Sequence, residues 1–95
     1  MRHHPRLDSN QASIVKTLRM IPGVSAESMA SMGHGFPDLI VGYNSLNSGQ
    51  INRLYEIKVG KGKLTDDEKD WHDKWHGQVK VVHSVDDILQ DMGPA

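Results

Sequence analysis

Gly35-Phe36-Pro37-Asp38-Leu39-Ile40-Val41-Gly42 and, beyond a polar loop, Leu54-Tyr55-Glu56-Ile57-Lys58 are the stretches that decide how this chain is read. Both are short apolar runs with the β-branched and aromatic content of strands. Each carries charge where a buried strand should have none. Asp38 opens the first run directly after a proline, and Glu56 and Lys58 interrupt the second. Side chains two apart on a strand share a face, so Glu56 and Lys58 point one way and Ile57 the other. If the two runs pair as neighbours, Asp38 approaches Glu56 across the ladder. Two carboxylates and an ammonium brought together in a partly dry place are costly unless paired or metal-bound.

A hard divalent cation would answer that cost. Mg²⁺ takes oxygen ligands and keeps several waters beside one or two carboxylates. Asp38, Glu56 and the main-chain carbonyl of Ile57 offer three oxygens, with Lys58 next along the same face to hold a water. A surface Glu–Lys pair on an edge strand is the plainer reading of any lone E-x-K. The Pro-Asp one loop upstream, inside a matching strand pattern, shifts the weight toward the cation.

Pro37-Asp38 with Glu56-Ile57-Lys58 resembles the PD-(D/E)xK nuclease signature. The wider string from Gly33 to Gly42 resembles the virus-type replication-repair nuclease (VRR-NUC) branch in its small stand-alone phage form. Asn10-Gln11, Leu64-Thr65 and Val81-Val82-His83-Ser84-Val85-Asp86-Asp87 fit the same pattern, so the resemblance spans about residues 8 to 92. It implies an α/β restriction-endonuclease-like core, a small mixed sheet flanked by helices in the order α-β-β-β-α-β-α. It also implies a metal-dependent, structure-selective DNA endonuclease of phage or prophage origin, working in the bacterial cytoplasm. Asp38, Glu56 and the Ile57 carbonyl would hold Mg²⁺ or Mn²⁺, and Lys58 would position the nucleophile or stabilise the pentacovalent state. The substrate implied is branched DNA, a four-way (Holliday) junction resolved by a homodimer or a flap nicked by a monomer. A non-catalytic DNA-binding module with the same fold is the rival from another class.

Composition sets bounds. Ninety-five residues make one domain, read as a basic arm over residues 1–7 and a single folded unit over residues 8–95. A chain this short buries only roughly 60–65% of its unfolded surface, so a second copy would help. There is no cysteine, which excludes disulfides and thiolate metal sites. No apolar run reaches membrane length, and the first residues lack a signal-peptide core, so a cytoplasmic location without a membrane partner is expected. The formal net charge of −1 does not announce a nucleic-acid binder. Its distribution says more. Arg6 belongs to a basic N-terminal arm, and Lys61 and Lys63 follow Lys58 in a glycine-rich turn, while acids collect between Asp66 and Asp73. These basic residues, with His34 in the turn before Pro37, are the candidate DNA contacts.

Along the chain, Gln11, Ile14, Val15, Leu18 and Ile21 recur at helical spacing and line one face of a helix over Ser9–Ile21. Asp8 reads as its N-cap with Gln11 completing a capping box. Gln11 therefore has two readings, cap or accessory to the metal shell. Val24–Met29 is an edge strand by position. The motif strands are placed at Asp38–Tyr43 and Arg53–Val59, with Asn44–Gln50 as the loop between them. Thr65 and Glu68 form a second capping box opening a helix to His76. Glu68 is also a candidate site residue, and Trp71 and Trp75 are read as core. His72 and His76 have the spacing of a zinc pair but no third ligand. Gln78–His83 is a last strand, and Ser84 caps a last helix.

Overall fold

The computed structural model describes residues 9–94, so Arg6 and Asp8 lie outside the described residues. The first helix, α1 (Ser9–Arg19), is followed by strand β1 (Val24–Ser28) and a single 3-10 turn at Ala30–Met32. Then come β2 (Leu39–Ser45), β3 (Gly49–Ile57), α2 (Asp66–Lys74), β4 (Lys80–Val82) and α3 (Val85–Met92). The strands form one sheet in the order β1-β2-β3-β4. The first three are antiparallel neighbours, and β4 joins β3 in parallel after the α2 crossover. This is a small mixed α/β domain. Among the described residues no helix is long and apolar enough to cross a membrane.

Alternation along the strands sorts the two faces of the sheet. Leu39, Val41 and Tyr43 of β2 and Tyr55 and Ile57 of β3 are buried on one side. Ile14, Val15 and Leu18 of α1 and Ile88 of α3 pack against them as a single core. The apolar spacing of α1 is thus met by the structure, although the helix stops at Arg19, two residues before the expected end. The Arg19 side chain turns back to donate to the Ala26 carbonyl of the edge strand at 2.9 Å. Tyr55 Oη donates to Asp91 of α3 at 2.7 Å, and Arg53 donates to Tyr43 Oη at 2.7 Å. A polar clasp therefore closes the α3 end of the core.

Three expectations need correction. The stretch Asn44–Gln50, polar enough to read as a loop, is mostly strand, and only Leu46-Asn47-Ser48 form the hairpin tip. Tyr43 pairs with Ile51 and both face the core, so continuing the ladder satisfies backbone groups that a loop would leave to water. The strand β3 ends at Ile57, with Lys58 just beyond it. Finally, α2 ends at Lys74 and contains no buried residue. Trp75, at its C-cap, is 44% exposed and stacks on Trp71, with ring centroids 4.6 Å apart. Trp71 in turn meets Phe36 edge-on at 5.2 Å, so the pair forms a surface ladder rather than core.

The seat of α2 depends on one glycine. Gly35 has φ +82°, and a Cβ there would lie 2.3 Å from the Asp67 carbonyl oxygen in the first turn of α2. Only a residue without a side chain lets the loop before Pro37 run this close to the helix. Gly35→Ala combines a strained φ with a backbone clash and should cost about 3 kcal/mol. Thermal unfolding should show Tm lowered by roughly 10 °C or more, and an unchanged Tm would mean that α2 can shift freely.

Candidate functional site

The site lies on the sheet face away from α1 and α3, where β2 begins and β3 ends. The register pairs Leu39 with Tyr55, so one step outward places Asp38 opposite Glu56. Pro37 supplies no N–H, and the chain enters β2 with Asp38 as its first hydrogen-bonding residue. Three donors hold Asp38. Its Oδ2 accepts from the Ile57 N–H at 2.7 Å, while its carbonyl oxygen accepts from the Met29 N–H at 2.7 Å and from Gln11 Nε2 at 3.1 Å. Gln11, itself buried, thus anchors the Asp38 main chain from α1.

Glu56 faces Asp38 from the last turn of the β3 pleat and is 1% exposed. Burial raises its pKa, and the adjoining Asp38 carboxylate raises it further, to about 9, against the opposing pull of Lys58. Glu56 Oε1 has no hydrogen-bond partner, and neither has His72 Nε2 of α2, which lies 3.7 Å from it. Beyond β3, Lys58 Nζ pairs with Glu68 Oε1 at 2.7 Å, both side chains largely buried. Burial alone would lower the Lys58 pKa and raise that of Glu68, but their ion pair outweighs it. Lys58 is accordingly raised and Glu68 lowered, so both stay charged near neutrality.

Each helical contribution has a local cause. Thr65 caps α2 by accepting from the Glu68 N–H, and Glu68 Oε1 returns to accept from the Thr65 N–H at 2.8 Å. The same oxygen meets Lys58, so Glu68 caps α2 and pairs with Lys58 at once. His72 is one turn further along the same face. The main chain after β3 is steadied by Lys58 N–H donating to the Val82 carbonyl at 2.9 Å and by His83 Nδ1, 2.9 Å from the Lys58 carbonyl oxygen.

The fold brings together Asp38, Glu56, Lys58 and Glu68, adds His72, and keeps Gln11 one bond away. Lys61 and Lys63 are exposed in the turn after Lys58, and His34 is exposed with φ 57° in the turn before Asp38. His76 is exposed and takes no part. Helical spacing relates His72 to Glu68 in the sequence, but its approach to Glu56 arises only in the fold. Among the described residues no three histidine, aspartate or glutamate side chains are arranged to hold a metal ion by themselves. The Asp38 and Glu56 carboxyl groups are what the site offers, a number that suits a cation retaining most of its water. The unpartnered, buried Glu56 Oε1 is an acceptor that a cation would satisfy. Comparisons with family models, with curated proteins and with solved structures returned no match.

The raised Glu56 pKa carries a sign for stability. Because the folded-state value exceeds the unfolded one, the stabilising contribution is complete below the ordinary carboxylate range and is lost as pH rises toward about 9. Each pH unit in that window costs at most about 1.4 kcal/mol. With chelator present, Glu56→Gln should flatten the fall in Tm between pH 5 and pH 8 and exceed wild type at pH 8. Parallel Tm profiles for the two proteins would show that Glu56 ionises normally in the fold.

Proposed function

We propose that this protein is a metal-dependent DNA endonuclease of the PD-(D/E)xK kind, in the VRR-NUC branch, acting on branched DNA. The observation that carries the reading is the abutment of Asp38 and Glu56 with one buried Glu56 oxygen unsatisfied and a charged Lys58 alongside. The mixed sheet with helices on both faces is the layout this kind of core requires. Asp38, Glu56 and the Ile57 carbonyl are the ligands assigned to Mg²⁺ or Mn²⁺. When bound, the cation supplies Lewis-acid stabilisation of phosphate charge and lowers the pKa of an attacking water.

The chain's own residues do the rest. Asp38 is fixed before any ligand arrives, because the Ile57 N–H, the Met29 N–H and Gln11 already hold it. Lys58, kept cationic by Glu68, would offset the negative charge that builds as water attacks phosphorus and the P–O3′ bond breaks. A proton ends on the leaving oxygen, giving 5′-phosphate and 3′-hydroxyl ends. Exposed Lys61, Lys63 and His34 flank the site on the two adjoining turns and would meet the phosphate backbone, making binding strongly salt-dependent. Arg6 is assigned the same role from sequence.

Junction resolution needs two symmetric cuts, and an isologous homodimer supplies two sites from one chain. Two surfaces are suited to that contact, the β1 edge of the sheet and the β2–β3 hairpin tip, where Leu46 is exposed.

Labelled four-way junctions, flaps and linear duplexes incubated with Mg²⁺, Mn²⁺ or EDTA test the reading. Asp38→Asn, Glu56→Gln and Lys58→Ala should each reduce cleavage about a thousandfold or more while DNA binding persists. Asp38→Asn should stay folded because its amide oxygen can still accept from the Ile57 N–H. Cutting in EDTA, or an undiminished Lys58→Ala rate, would sink the metal mechanism. Absence of cleavage on every substrate would favour the binding module.

Assembly is tested separately. Light scattering should give a dimer at micromolar concentration, and strand-resolved gels should show paired nicks at opposing positions on an immobile junction. A monomer that nicks flaps and leaves junctions whole would assign the protein to the flap nucleases.

A further inference from the structure

Glu56 Oε1 and His72 Nε2 are both buried, both without a hydrogen-bond partner, and 3.7 Å apart. That separation is too long for a direct hydrogen bond. One small ion held by both atoms would draw them nearer, since two ligands about 2.1 Å from a cation and at right angles lie roughly 3 Å apart. A modest rotation of the imidazole would close the difference. His72 is also delivered to this place by independent contacts. The capped first turn of α2 docks through Glu68 on Lys58, Gly35 admits that turn, and Trp71 packs on Phe36. An imidazole nitrogen left bare beside a buried carboxylate oxygen is otherwise an uncompensated cost.

We propose that His72 is a metal ligand, its Nε2 joining Glu56 Oε1 in the coordination of the divalent cation. The inference rests on the metal-dependent reading above and extends it to the choice of ion. Side-chain oxygens alone suit Mg²⁺, whereas an imidazole nitrogen favours transition ions over Mg²⁺. The site is therefore a Mn²⁺- or Co²⁺-preferring one. The described side chains do not form a finished cage, so His72 is drawn in as the ion binds.

The test is pulsed electron paramagnetic resonance of Mn²⁺ bound to the full chain without DNA, alongside calorimetric titration with Mn²⁺ and with Mg²⁺. Wild type should show electron-spin-echo modulation from one directly bound nitrogen. Labelling with ¹⁵N-histidine should change that modulation. His72→Gln should abolish it while weakening Mn²⁺ binding tenfold or more, and His76→Gln should leave both unchanged. Mn²⁺ should bind wild type at least tenfold more tightly than Mg²⁺, and the ratio should shrink in His72→Gln. Mn²⁺ binding that depends on Glu56 but shows no nitrogen overturns the inference and leaves the metal-dependent reading intact. Nitrogen modulation that survives in His72→Gln overturns it too, by assigning the ligand to another histidine. Failure of wild type to bind Mn²⁺ at all overturns both readings. Because the wild-type spectrum alone can exclude a nitrogen ligand, the result does not hinge on whether a variant folds.

Discussion

The hydrogen bond from the Ile57 N–H to Asp38 Oδ2, 2.7 Å long, ties the entry of β2 to the end of β3. A side-chain oxygen here does what a strand carbonyl does elsewhere, just where the regular ladder stops after Pro37. The same residue's carbonyl receives Met29 and Gln11, so Asp38 joins α1, the segment after β1 and β3 through three bonds. Everything at the site inherits its position from this knot. Glu56 is held opposite Asp38 by register, Ile57 has its N–H engaged, and Lys58 emerges where the sheet gives out.

Holding two acidic groups face to face is a cost that the fold relieves by keeping a proton on Glu56 beside Asp38. Lys58 is the nearest cation, yet its ammonium is committed to Glu68, and Glu56 retains a buried oxygen without a partner. The core compensates from the other face of the sheet, where Leu18, Leu39, Val41, Tyr55, Val82 and Ile88 are essentially fully buried. Burying such side chains stabilises a small domain by roughly 1.5–3 kcal/mol each, before chain entropy is set against it. The division is physical. One face of the sheet supplies stability, and the other keeps the Asp38–Glu56 pair under a helix that covers it with Glu68 and His72.

That helix is what turns a pair of carboxylates into a site. In α2, Glu68 and His72 share one face through helical spacing, and the Thr65 capping box fixes where the first turn begins. Docking then relies on few contacts. The Lys58–Glu68 ion pair, the Phe36–Trp71 edge contact and the close passage of Gly35 under the Asp67 carbonyl are the main ones. An element with so little buried surface belongs to the less stable part of a structure, the part that can adjust when a ligand arrives. The exposed stack of Trp75 on Trp71 follows from the same geometry, since the side of the helix turned to the sheet is taken by Glu68 and His72.

By itself the sequence determined the order of the helices and strands, the apolar face of α1, the caps of α2 and α3, and the meeting of Asp38 with Glu56. All of these follow from interactions between near neighbours or from strict periodicity. Gln11, Ile14, Val15 and Leu18 recur every three or four residues, and a hairpin register constrains any side chain beside it. The tertiary structure decided the rest. Asn44–Gln50 is polar and glycine-bearing, so composition reads it as loop, yet packing of Tyr43 and Ile51 on the core extends both strands through it. Trp75 is large and apolar and at helical spacing from Trp71, yet whether that stripe meets a core depends on which way α2 lands. His72 carried no signal as a partner of Glu56, because the two are distant in sequence and meet only when α2 folds back across the sheet. Long-range docking, set by a glycine's missing side chain and one buried ion pair, is not written in any local pattern.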